Sequence, residues 1–136
     1  MTNVKATNTK VKSLVYIAAF APAEGEAAGD VYIKQSLFRN QFAADVPARE
    51  AALMAATQRP IRDAALSEAS GAPAWARIPS WFLLAEADKN IPLRAQQFMA
   101  DRANSRETTT IEGASHVVHV SHPNQTTALI IRAAHR

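Results

Sequence analysis

The sequence predicts an α/β protein: about three parallel strands with flanking helices and a lid-like helical insert. Three observations carry this. Apolar, β-rich runs occur at residues 11–20 and 80–86 and a short β-rich run at 107–112, helix-favouring stretches follow the last two, and a long segment with little strand character (22–76) separates the first two. Alternation of this kind is how a parallel sheet covered by helices reads in sequence.

The first run, VKSLVYIAAF, is β-branched and aromatic without helical periodicity, which suits a strand buried on both faces, and Ala21-Pro22 closes it. Residues 22–30 read as a small-residue loop with Gly25 and Gly29. Residues 47–58 are alanine-rich and favour a helix, and 60–69 predict another short one. Residues 70–75 lead back to the sheet. The second run, SWFLLAE, is entered through Ile78-Pro79. After Asn90-Ile91-Pro92, residues 93–103 predict a helix with Ala95, Phe98, Met99 and Arg102 on one stripe. The third run, ETTTIE, ends at Gly113. A last helix is expected from about Ser121-His122-Pro123, with Ser121 as N-cap, through Leu129, Ile130 and Ala133. The chain reads as one domain: residues 11–21 and 77–136 as a core, residues 22–76 as the insert.

Composition narrows the function classes. With 136 residues, 48% hydrophobic and 20% charged, the chain suits a globular domain with a substantial core. The absence of cysteine excludes thiolate metal sites and cysteine nucleophiles. The net charge of +3 comes from scattered basic residues, so no nucleic-acid partner is expected. Nothing near the N-terminus reads as a signal peptide, and the longest apolar run, residues 14–23, is far short of the roughly 20 residues that cross a bilayer. A cytoplasmic location and no membrane partner are the expectation.

Two residues stand out chemically. Asp88 follows the second strand, and loops at the carboxyl ends of parallel strands build active sites. A carboxylate there can orient an imidazole, although its position equally fits a cap on the following helix. His116 follows the third strand, and histidine is suited to exchanging protons near neutral pH. Taken singly, a loop histidine needs no special role, but acid then histidine on successive strands is the chain order of a hydrolase triad after its nucleophile. His119 and His122 continue an even spacing with His116, but it matches no metal-ligand pattern; no metal and no cofactor are expected. His135 lies near the terminus. Trp75, Met54 and Phe42 are candidate substrate-pocket residues, each with core packing as the competing role, whereas Trp81 on the strand reads as core.

Three segments together resemble the α/β-hydrolase fold family, in its bacterial esterase and haloperoxidase-like branch. VKSLVYIAAFAPAEGE is similar to the sixth-strand region leading into a helical cap. PAWARIPSWFLLAEADKNIP resembles the seventh strand with its acid loop, and IEGASHVVHVSHP the eighth strand with the histidine loop. The resemblance covers nearly everything from Val11 onward and implies a partial α/β-hydrolase fold, its C-terminal portion. It makes Asp88 the triad acid and His116 the triad base, with ester-type acyl hydrolysis of a small substrate as the ancestral chemistry. The departure is the nucleophile: no G-x-S-x-G elbow occurs, Gly113-Ala114-Ser115-His116-Val117 being nearest, and MTNVKATNTK resembles the tail of the helix that follows an elbow. With nucleophile and oxyanion donors lacking, the chain alone is expected to be inactive. Its first strand would then show an unpaired edge, suited to a homodimer or an N-terminal half. The competing expectation is a non-catalytic binding protein that uses the cap pocket or that edge.

Overall fold

The computed structural model describes residues 14–17, 33–59 and 69–135. Along them run strand β1 (Leu14–Ile17), helices α1 (Gln35–Phe42) and α2 (Ala48–Thr57), one 3-10 turn (Ala74–Ala76) and strand β2 (Ser80–Ala85). Helix α3 (Leu93–Arg102), strand β3 (Glu107–Ile111), the one-turn helix α4 (Val118–Ser121) and helix α5 (Pro123–Ala134) complete them. The strands form a single sheet in the order β1-β2-β3, and both pairs are parallel. The partial α/β architecture expected from the alternation is therefore present.

β2 is the centre of this sheet, and its sequence explains why. All six residues of SWFLLA are buried, and they alternate between two cores. Trp81, Leu83 and Ala85 pack with Ala114, Val118, Leu129 and Ala133, the side covered by α4 and α5. Phe82 and Leu84 pack with Ile91, Met99, Ala100 and Ala103, the side covered by α3. Each large side chain so buried stabilises the fold by about 1.5–3 kcal/mol. Tyr16 of β1 lies opposite Phe82 in register, and their rings stack at 4.6 Å and 18°. Burial raises the Tyr16 hydroxyl above its ordinary pKa. β3 is flanked on one side only among the described residues. Glu107, Thr109 and Ile111 are half-buried while Thr108 and Thr110 face outward. Arg132 of α5 forks onto Glu107 at 2.6–3.0 Å, fixing that helix along the edge.

Within the insert, the described residues 33–59 are mostly helical and are termed the cap. α1 and α2 close over Ile33, Phe38, Ala43, Val46, Ala51 and Ala55, and this core also takes in Val117, the residue after His116. α2 matches the alanine-rich stretch. α1 had no distinct signature, since Phe38 is its single buried residue. The short helix expected over 60–69 and the loop over 22–30 fall almost wholly outside the described residues, as do the ends of the first strand.

Two expectations need correction. The buried stripe of α3 is Gln96, Met99 and Ala100, continued by Ala103, rather than Ala95, Phe98, Met99 and Arg102. Phe98 is 61% exposed, with the Arg102 guanidinium 5.2 Å above its ring. The helix is rotated because Gln96 is drawn inward to bond the end of β2. At the last helix, Ser121 closes α4 instead of capping α5; His122 occupies the N-cap and Pro123 the first turn. Val118 anchors α4 as a separate turn in the core, which shifts the boundary by one residue.

Candidate active site

The acid loop leaves β2 at Ala85 and is tied down before it reaches Asp88. The Glu86 amide donates to Ile111 O (3.1 Å) and the Ala87 amide to Ala114 O (2.9 Å), so the loops after β2 and β3 are bonded directly to each other. Glu86 returns the contact by accepting the Gly113 amide at 2.9 Å. Gly113 has φ of +68°, a left-handed conformation that glycine adopts without strain.

Gln96 fixes the same loop from the helix side. Its side chain, 1% exposed, accepts the Ala85 amide (3.0 Å) and donates to Ala85 O (3.0 Å) and Ile91 O (2.7 Å). It also stands 3.5 Å from Asp88 Oδ2. Asp88 is itself buried, and its two oxygens divide the work. Oδ1 accepts the amides of Asn90 (2.8 Å) and Ile91 (3.1 Å), and Oδ2 meets His116 Nδ1 at 2.7 Å. Of the two roles that position alone left open, the carboxylate meets the imidazole and does not cap the helix: Pro92 is the N-cap of α3, and the amides bonded to Oδ1 belong to the loop before it.

That contact has chemical consequences. An ionised Asp88 can only accept, and a neutral imidazole bonded to it in this way carries its proton on Nδ1 and leaves the Nε2 lone pair free. The His116 side chain is 20% exposed against 0% for Asp88, so the carboxylate is sealed while the imidazole remains partly open to solvent. Phe42 of α1 packs on the imidazole with ring centroids 4.5 Å apart. The cap also reaches both loops through polar contacts: Lys89 Nζ to Asn40 Oδ1 (2.6 Å), Asn90 Nδ2 to Gln41 O (3.0 Å), and the Ser115 hydroxyl to Asp45.

The remaining candidates are placed as follows. Phe42 lies at the dyad, whereas Met54 packs against the cap core. Trp75 does not join them. It is at the amino end of β2, lining a cavity of about 380 Å³ with Arg77, Ile78, Arg102 and Arg106, and the Arg102 guanidinium lies 5.5 Å from its ring. Partial burial of the ring, and then repulsion from His116, lower the pKa of His119. His122 Nε2 stands 3.3 Å from Asp45 Oδ2. Among the described residues no three or more His, Asp or Glu side chains converge as a metal-binding group, and no helix is long and apolar enough to cross a membrane. Gln96, Asp45 and Ser115 had no place among the sequence candidates. Gln96 left a trace, a polar residue in step with Met99, Ala100 and Ala103; the Asp45–Ser115 contact joins residues far apart in the chain and left none.

Comparison with known proteins agrees with the fold. The model of the alpha/beta hydrolase family matches residues 8–129. No curated protein sequence matches. Among solved structures, a methylesterase from Arabidopsis is similar with a TM-score of 0.77 at 19% identity, over 92% of this chain and 59% of that one. Polyneuridine aldehyde esterase gives 0.73 at 12% identity, over 90% and 62%. Tomato methylketone synthase I, complexed with 2-tridecanone, gives 0.66 at 14% identity, over 90% and 61%. The chain thus spans about three fifths of the length of these structures.

Proposed function

The chain belongs to the alpha/beta hydrolase family, and from that premise we propose that it supplies the acid–base half of a serine esterase-type site, acting on a small ester-like substrate. The observation that carries this reading is the 2.7 Å contact between His116 Nδ1 and the buried Asp88, at the carboxyl ends of adjacent parallel strands. In the proposed reaction His116 Nε2 takes the proton of an attacking serine hydroxyl as its oxygen bonds to the ester carbonyl carbon. Asp88 stabilises the resulting imidazolium. The imidazolium returns the proton to the departing alcohol, leaving an acyl-enzyme. A water then attacks that acyl group with His116 again as base, releasing the carboxylic acid and restoring the serine.

The serine is not assigned within these 136 residues, because no G-x-S-x-G pattern is present and Ser115 is 2% exposed with its hydroxyl committed to Asp45. In this reading the nucleophile and oxyanion donors come from polypeptide outside the 136 residues, and the chain alone is inactive. β1 is one of the two edges of the sheet among the described residues, and parallel pairing along it, by an N-terminal half or by a second copy, is the proposed docking mode. A non-catalytic binding role is the competing account. A serine-directed fluorophosphonate probe tests the reading. The purified chain should stay unlabelled, and labelling at any of its own serines would place a nucleophile inside it and overturn the division proposed here.

A further inference from the structure

We propose that Asp45, in the turn between the two cap helices, is a positioning residue for His116, holding the histidine loop from the cap side through Ser115. This rests on reading His116 as the base and deepens it. The contacts converge on the residues flanking the histidine. Ser115, immediately before it, is buried and donates its hydroxyl to Asp45. Val117, immediately after it, is 2% exposed inside the cap core. Between these two anchors the backbone of His116 cannot shift without breaking one, so the imidazole is held at Asp88 from three directions: the loop on either side and the Phe42 ring.

Asp45 is more than a passing neighbour. Its side chain is 19% exposed, and His122 Nε2 lies 3.3 Å from its second oxygen. Burial would raise its pKa, yet the hydroxyls of Ser115 and Ser121 and the Ser115 amide together bring it below the ordinary value. A carboxylate surrounded by donors from the histidine loop and the turn behind it stabilises one position of that segment. The same cap segment also bonds the acid loop through Asn40 and Gln41. Cap and dyad are one mechanical unit, and Asp45 is its link to the base.

The readout is the His116 imidazole in the full chain labelled with ¹⁵N-histidine. The unaltered protein should show His116 with its proton on Nδ1, protected from solvent exchange by Asp88. Asp45→Ala should speed exchange of that proton by several-fold to about tenfold, the scale of one lost hydrogen bond, with the far-UV circular dichroism preserved. Ser115→Ala, which removes the donor from the other side, should do the same. Asp45→Asn keeps an oxygen for the Ser115 hydroxyl and should remain near the unaltered rate. An unchanged exchange rate in folded Asp45→Ala or Ser115→Ala overturns the proposal, as does Asp45→Asn behaving like alanine. Failure of the underlying reading looks different: the unaltered protein itself would show no Nδ1 preference at His116.

Discussion

Replacing Gln96 with leucine isolates what holds the acid in place. The two side chains are close in size, so the substitution changes hydrogen bonding more than volume. Two backbone groups, the Ala85 amide and the Ile91 carbonyl, lose the Gln96 partner outright, while the Ala85 carbonyl keeps the Asp88 amide at 3.4 Å. A buried group left without a partner costs about 1–3 kcal/mol, and a leucine returns roughly 1 kcal/mol through its greater apolar burial. With two groups stranded the net loss is about 1–5 kcal/mol, to be set against the roughly 5–15 kcal/mol that holds an ordinary domain folded. Urea titration followed by circular dichroism measures it directly. Gln96→Glu adds a control of sign. A charged carboxylate there faces two carbonyls and Asp88, so its folded pKa rises above its unfolded value. The stability penalty of this variant should therefore shrink as pH falls from 7 towards 5, where the side chain regains a proton to donate. A loss below about 0.5 kcal/mol for Gln96→Leu, or a Gln96→Glu penalty that does not respond to pH, refutes the reasoning.

Other outcomes follow from the same geometry. Asp88→Asn keeps an oxygen for the Asn90 and Ile91 amides but presents an N–H to His116, moving the imidazole proton to Nε2. In a completed site this tautomer error should lower kcat on the order of 10⁴-fold, read by ester hydrolysis kinetics. Gly113→Ala meets open space but must hold φ near +68°, so it should cost about 1–2 kcal/mol from backbone strain alone, seen as a lower Tm. Asp45 has its folded pKa depressed. Its contribution is therefore present above the ordinary carboxylate value and lost as pH falls through the lower folded one, so Asp45→Asn should lower stability most near pH 7 and least in acid, where the native carboxyl is itself protonated, as read by urea titrations at several pH values.

The parts of this molecule legible in sequence were those governed by local chemistry. SWFLLA declares a strand buried on both faces because every position is apolar or small, and the motifs around Asp88 and His116 follow strands whose ends could be read from Ala85 and Gly113. That these two side chains would meet at the ends of adjacent strands followed from their order in the chain. What stayed hidden was set by distant contacts. α1 went unread because its apolar face is short, Phe38 and Phe42 one turn apart, and the core it joins is completed by residues from α2 and the histidine loop. The rotation of α3 was missed because Gln96 satisfies backbone groups at the end of β2, and a polar residue at such a position reads as surface until its partners are known. Trp75, next to the sheet in sequence, sits by the amino end of β2, away from the end that carries Asp88. Neighbourhood along the chain did not decide which end of the strand it served.

The most direct test of the central claim is complementation. The full chain is mixed, or co-expressed, with an upstream hydrolase segment carrying a G-x-S-x-G elbow, and hydrolysis of a small nitrophenyl ester is followed. Activity should appear only in the mixture and vanish with His116→Ala in this chain or with alanine in place of the elbow serine. Hydrolysis by the unmixed chain above the background rate, or activity in the mixture that survives His116→Ala, would contradict the account.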